Sequence, residues 1–268
     1  MTDKPSITDT PAPLIHVTSA SPLHILMTFS APSIVARARP GQFIHLDVLP
    51  GGTSPLLRRP FSIAGVNNAQ GTFRLLVRTI GRGTELLAEL RPGAQLNTLG
   101  PLGRPFPDVD PERPVITVAG GVGMAPLLYY ATDQRGGIAK ALYGAATADE
   151  LALAEEASDH CEEFLVATDD GSQGHHGFVT ELLPAALRDL SDPIVLCCGP
   201  RAMMAATAAI CRERNAECHV SFEAWMGCGV GACLGCVIPA AGGGERYARV
   251  CKDGPVFNAE EIDWDALR

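Results

Sequence analysis

Three things are scarce or missing in this chain, and each narrows its class. No stretch of the 268 residues approaches the ~18 consecutive apolar residues of a membrane-spanning helix, so a membrane protein is not expected. The opening MTDKPSITDTPAPL carries Asp, Thr and Pro where a secretory leader needs a basic residue followed by an apolar run, and it reads as a loose lead-in. Positive charge is short: 21 Lys and Arg stand against 30 Asp and Glu, a net charge of -9, which gives no attraction to nucleic acid or to an anionic membrane. Hydrophobic residues at 46% and charged ones at 19% mark a globular chain, of a length that suits two domains and a small appendage. No internal repeat or low-complexity run interrupts it.

Cysteine, by contrast, is plentiful. A leaderless chain is expected in the reducing cytoplasm, where nine cysteines point to metal binding or catalysis rather than disulfides. Five of them (Cys161, Cys197, Cys198, Cys211 and Cys218) are scattered and read as small buried residues. The other four are patterned.

Along the chain, residues 14 to 108 read as strands. LHILMTF places Leu23, Ile25, Met27 and Phe29 on one face, FIHLDV groups Ile44, Leu46 and Val48, and TFRLLVRTI groups Phe73, Leu75 and Val77. Gly and Pro pairs punctuate them, which predicts an antiparallel β-barrel or sandwich with one helical run at Thr84 to Leu90. From about residue 113 apolar strands (VITVAGG, AKALYGA, EEFLVATDD, PIVLCCGP) alternate with helical runs (MAPLLYYATDQ, ADELALAEEAS, VTELLPAAL, RAMMAATAAICRERN). That rhythm predicts a parallel sheet covered on both faces. A Gly- and Cys-rich tail begins near 219. The expected fold is therefore multi-domain: an antiparallel barrel over 1–110, an α/β parallel-sheet nucleotide domain over 111–218, and a small cysteine domain over 219–268.

In the tail, CGVGACLGC gives Cys228, Cys233 and Cys236 in the spacing C-x4-C-x2-C, and Cys251 arrives alone after fourteen intervening residues. A structural zinc site more often pairs two short knuckles, whereas this is the plant-type arrangement for a [2Fe-2S] cluster. Gly227, Gly229, Gly231 and Gly235 would let the loop fold tightly and turn N–H groups onto anionic sulfur. Zinc, or thiols without a metal, is the alternative.

Upstream, VAGGVGMAP follows one strand and opens a helix. It departs from the G-x-G-x-x-G fingerprint, yet Gly120, Gly121, Gly123 and Pro126 would suit a dinucleotide pyrophosphate resting on a helix N-terminus. A tight strand-to-helix turn needs the same glycines. Cys198, Gly199 and Pro200 end a later strand, where Cys198 would either face a nicotinamide or be a buried structural cysteine. Asp169 and Asp170 end another, where a carboxylate would take ribose hydroxyls and repel a 2′-phosphate, favouring NAD over NADP. An Asp-Asp-Gly turn accounts for them equally. His175 and His176 carry no role.

RRPFSIAG resembles the Arg-x-Tyr-Ser signature of ferredoxin-reductase flavin barrels, with Phe for Tyr. The resemblance implies FAD, with Arg59 on its pyrophosphate, Pro60 and Phe61 beside the flavin and Ser62 near the reactive N5. In VRTIGRGTELL, Gly81 and Gly83 lead into the helical run and make either a phosphate-friendly turn or a plain strand-to-helix turn; the resemblance gives the stretch, with Val77, Arg78, Gly83 and Thr84, part of the FAD phosphate contact, and GPLG at 100 to 103 also suits such a barrel. With E-x-x-M-x-C-G-x-G-x-C-x-x-C from Glu223 to Cys236 and VCKDGPVF from Val250 to Phe257, the chain from 12 to 258 resembles the electron-transfer subunits of class 1B dihydroorotate dehydrogenases. This implies a relay from an FMN-containing catalytic subunit through [2Fe-2S] and FAD to NAD+, in pyrimidine biosynthesis, in a heterotetramer of two of each subunit. Ser62 and Cys198 would then be the residues at the reacting atoms. Trp225 and Met226 would either touch the partner or cap the cluster, and Leu234 is filler between ligands. A reductase subunit for a sulfur-metabolising or ferredoxin-like partner, and a non-catalytic zinc-binding interaction protein, are the competing readings.

Overall fold

The computed structural model describes residues 7–133, 137–243 and 246–267; the first six residues of the lead-in, and Gln134 at the end of the expected helix MAPLLYYATDQ, lie outside them. Strands β1 (Thr8–Ser21), β2 (His24–Ser30), β3 (Phe43–Leu46), β4 (Arg59–Asn67), β5 (Thr72–Arg78) and β6 (Gln95–Leu102) close into a barrel in the order β1-β2-β5-β4-β3-β6. All its pairings are antiparallel. Period-two patterning turns Met27, Phe29, Ile44, Leu46, Phe73, Leu75 and Val77 into the barrel core, where the Phe29 and Phe73 rings stack at 5.5 Å. Leu23 departs from the expected face: it lies in the turn before β2 and is exposed. Two helices accompany the barrel, α1 (Pro32–Val35) and α2 (Arg82–Glu89).

The lead-in is a correction. From Thr8 it is strand, with Thr8 to Pro13 paired to β6. Pairing with β2 starts only at Leu14, so the prolines at 11 and 13 stand where the strand has a neighbour on one side only.

The central sheet contains β7 (Val115–Gly120), β8 (Ile138–Ala145), β9 (Cys161–Thr168), β10 (His175–His176), β11 (Ile194–Cys198) and β12 (Glu217–Ser221). Helices α3 (Met124–Thr132), α4 (Ala154–Ser158), α5 (Leu183–Ala186) and α6 (Arg201–Glu213) connect them. The tail adds β13 (Val237–Pro239), β14 (Tyr247–Arg249), α7 (Val250–Asp253) and β15 (Val256–Asn258). The sheet order is β10-β9-β8-β7-β11-β12-β15, parallel except for β15, which runs antiparallel at the edge. All six residues of β7 are buried, as a strand covered on both faces requires.

Two expected helices are shorter than their patterns. ADELALAEEAS breaks at Leu153, whose φ of 62° is left-handed, leaving α4 as its second half. The Tyr143 hydroxyl explains the break, standing 3.1 Å from the carbonyls of Gly121 and Ala152 and drawing this segment onto the sheet. VTELLPAAL becomes a 3-10 turn, Val179–Glu181, followed by α5. The expected boundary at 219 falls inside β12, and β15 carries the tail into the sheet. Phe43 and Leu102 of the barrel, Ile116 and Val195 of the sheet, and Cys236, Cys251 and Phe257 of the tail share one core cluster. No helix among the described residues is long and apolar enough to cross a membrane.

Candidate functional site

The barrel opens along one seam. Residues 63–67 of β4 pair with 72–75 of β5, but Arg59 to Ser62 pair only with β3, so they part from Leu76, Val77 and Arg78. That leaves two strand ends facing each other across unpaired main chain. Arg59, Pro60, Phe61 and Ser62 are all half-buried along it. The Arg59 guanidinium donates to the Leu57 carbonyl at 2.7 Å and reaches Gly83, where an added Cβ would lie 3.4 Å from Nε. Gly81 has no side chain with which to cap α2, and the Thr84 hydroxyl turns back to accept from the N–H groups of Ile80 and Gly81. A guanidinium beside an uncapped helix start is the chemistry of an anion site. Val77 packs in the barrel core, so only its main chain lines the seam, and Arg78 is ion-paired to Glu150 at 3.1 Å.

The second element sits where the sheet reverses direction. From β7 the chain steps outward through β8 and β9, then returns to place β11 on the other side of β7. Open parallel sheets bind ligands at the carboxyl ends of such a switch point. There lie Gly120 to Gly123 after β7 and Cys198 to Pro200 after β11, packed main chain to main chain. A Cβ on Gly123 would lie 2.1 Å from the Cys198 carbonyl, and one on Gly120 would meet Pro200 at 2.7 Å. These two glycines serve loop-on-loop packing, and it is Gly121, at φ 51° with open space before it, that is free to approach a ligand. Pro126 is buried in α3. Gly123→Ala is expected to cost stability at the upper end of the ~1–3 kcal/mol typical of overpacking, because a carbonyl in a strand end cannot yield. Calorimetry should show a melting temperature lower by about 5–10 °C.

This turn meets the barrel seam. Ala64 and Leu76 of the barrel, Ala125 of α3 and Ala152 form one small buried cluster, and the Tyr129 hydroxyl donates to the Ala38 carbonyl at 2.8 Å. Cys198 is buried beside Ser221, and burial first, then the charge of Glu223, holds its thiol well above the usual range. Glu223 follows β12 and is exposed to water, yet the protein packed around its carboxyl desolvates it and raises it. Its place by Cys198 was legible in sequence only as the first letter of the tail motif. Of the aspartate pair, Asp170 is held in its turn by Ser172 at 2.6 and 2.9 Å, while Asp169 is exposed at the end of β9. His175 of β10 pairs with Glu181 at 2.8 Å and stays outside these sites.

The third element is the cysteine loop. Cys228 Sγ accepts N–H groups from Val230, Ala232 and Cys233 at 3.3 to 3.4 Å. Burial alone would raise this thiol, but those donors and the Cys233 thiol outweigh it and bring it to about 6. Cys236 Sγ lies 3.2 Å from Cys251 Sγ, and burial pushes the Cys251 thiol up to about 12. Among the described residues no three His, Cys, Asp or Glu side chains gather as ligands of one metal ion. The sulfurs stand instead as two pairs, Cys228 with Cys233 and Cys236 with Cys251, which suits a two-iron cluster taking two cysteines per iron better than one tetrahedral zinc. Gly229 and Gly231 are needed by their positive φ of 71° and 80°, whereas Gly227 and Gly235 are not. Leu234 is more than filler: its φ of 58° is a left-handed bend between Cys233 and Cys236. Trp225 is 91% exposed and Met226 is buried, so the pair divides between surface and core.

Two family models match. Residues 11–106 match the oxidoreductase FAD-binding domain, and residues 223–263 match the iron-sulfur cluster binding domain of dihydroorotate dehydrogenase B. With the fold, these define a flavin- and iron-sulfur-dependent oxidoreductase subunit of ferredoxin-reductase architecture. A solved NADH-dependent reduced ferredoxin-NADP oxidoreductase is similar at 29% identity and a TM-score of 0.84, covering 97% of this chain and 92% of that one. A ferredoxin NADP+ reductase from Neisseria gonorrhoeae, at 20% identity and a TM-score of 0.63 over 76% of this chain and 90% of its own, shares the fold. The electron transfer subunit of dihydroorotate dehydrogenase B (NAD(+)) from Desulforamulus reducens is 37% identical over 95% of this chain and 98% of its own length; that of Geobacillus kaustophilus is 39% identical over 88% and 91%. The chain belongs to the family of dihydroorotate dehydrogenase B electron transfer subunits.

Proposed function

We propose that this subunit carries electrons from an FMN-containing dihydroorotate dehydrogenase catalytic subunit to NAD+, in an assembly of two of each subunit in the cytoplasm. The observation that carries the reading is that the three elements are contiguous: the barrel seam abuts the switch-point turn, and the barrel shares its core with the cysteine loop. A flavin held at the seam would supply hydride exchange with a nicotinamide, and a [2Fe-2S] cluster held by the four cysteines would supply one-electron transfer.

The chain's own residues supply position and field. Residues 1–110 hold the flavin, with Arg59 and the Gly83 and Thr84 turn taking the pyrophosphate and Phe61 and Ser62 lying along the ring. Residues 111–218 hold the nicotinamide dinucleotide, with Gly121 and Gly199 against the pyrophosphate, Asp169 accepting ribose hydroxyls, and Cys198 with Glu223 closing the nicotinamide side. Neither Cys198, held as a neutral thiol, nor any other group is required to move a substrate proton here. Residues 219–268 hold the cluster through Cys228, Cys233, Cys236 and Cys251. Cys233 is exposed, as are Trp225, Leu234 and Tyr247 of the same tail, which makes this the face for the catalytic partner.

The test is reconstitution. Dihydroorotate-dependent reduction of NAD+ should appear only when the purified subunit is combined with its FMN-containing partner. A partner that reduces NAD+ unaided, or a ferredoxin that replaces it with equal rates, overturns the assignment.

A further inference from the structure

One side chain between the barrel seam and the cysteine loop takes no part in the proposed binding of flavin, nucleotide or cluster. His45 lies in the middle of β3, is 1% exposed, and has no hydrogen-bond partner on either ring nitrogen. A buried polar group left unpaired is destabilising where an apolar residue of the same size would not be, so its presence needs a reason.

Its surroundings supply one. Across the strand pair His45 stands opposite Pro60, inside the segment that opens the seam, and on its other side opposite Leu99. The main chains of Arg58 and Cys228 both approach the ring without reaching hydrogen-bond geometry. Gly229 is pressed against it, since a Cβ there would lie 2.7 Å from Nδ1. The imidazole thus fills the space between the residue preceding Arg59 and the first cysteine of the loop. A neutral imidazole has a single N–H for the two main-chain acceptors beside it, one just ahead of the segment that opens the seam and one in the cysteine loop.

We infer that His45 is a positioning residue that ties the cysteine loop to the flavin strand, its ring N–H closing onto the main chain of Cys228 when the cofactors are in place. It touches no reacting atom; it fixes where the first cysteine sits relative to β4. The inference rests on the placement of flavin and cluster proposed above.

Full-length His45→Leu and His45→Gln, loaded with FAD and cluster, test it. The readouts are iron and sulfide per chain, the electron paramagnetic resonance signature of the reduced cluster, and the rate of cluster reduction relative to flavin reduction by NADH. His45→Leu is expected to shift the signature and slow the relative rate about tenfold, the equivalent of ~1.4 kcal/mol of lost positioning, and His45→Gln to restore most of both. Wild-type signature and rate ratio in fully loaded His45→Leu overturn the inference, as does equal impairment in the two variants, which would make volume the only requirement. If His45→Leu does not fold, His45→Gln decides alone: wild-type values support the role, and a tenfold change overturns it. Failure of the underlying placement shows differently, as a wild-type flavin that NADH does not reduce or a cluster that survives Cys233→Ser.

Discussion

Cys233→Ser is expected to strip iron and sulfide from the protein and leave FAD bound. The loop has already committed its main-chain donors to sulfur: Cys228 Sγ takes three N–H groups, one of them from Cys233 itself. Serine at 233 puts a hard, weakly acidic hydroxyl where a soft thiolate is needed, and one of the two sulfur pairs is lost. The seam proposed for the flavin, in contrast, lies among β4, β5 and α2, in a barrel whose strands close on one another without a strand from the tail. The visible spectrum should therefore keep its flavin bands and lose the cluster contribution, with iron per chain near zero. Simultaneous loss of flavin would mean that the barrel depends on the loop for its folding.

The second large effect is at Arg59. In Arg59→Ala the guanidinium beside Gly83 is gone, and the main-chain N–H groups at the start of α2 face the seam without it. A charge-assisted hydrogen bond to a phosphate contributes about 1.5–3 kcal/mol, so the dissociation constant for FAD should rise about 10- to 100-fold. Fluorescence titration of flavin into deflavinated protein measures this directly. Arg59→Lys should recover only part of the loss, because an ammonium keeps the charge without the planar fork. An unchanged affinity in Arg59→Ala would move the pyrophosphate elsewhere in the seam.

Strand patterning in the barrel was legible because Met27, Phe29, Phe73, Leu75 and Val77 alternate, and one face of a closed barrel must be apolar. The β1 start was not, since Pro11 and Pro13 read as punctuation unless one knows that only β6 pairs with them. The break at Leu153 was hidden for a different reason: it is imposed by Tyr143, which stands in another strand and contacts the segment only after folding. At the site, the cysteine spacing announced the cluster because ligand chemistry is written locally. The glycines of VAGGVG were visible, but their division of labour was not. Gly120 and Gly123 are fixed by the loop after β11, some eighty residues away, and only Gly121 faces outward. His45 was hidden for the same reason, being one letter inside an apolar strand until the tail folds against it.

That one chain holds a flavin and a two-iron cluster in electronic series is checked by assaying iron, acid-labile sulfide, zinc and flavin in anaerobically purified protein, with the visible spectrum recorded before and after NADH. Iron and sulfide in equal amounts, each twice the FAD, with both chromophores bleached by NADH, is the expected result. Zinc bound at the four cysteines with no flavin in the barrel would contradict it.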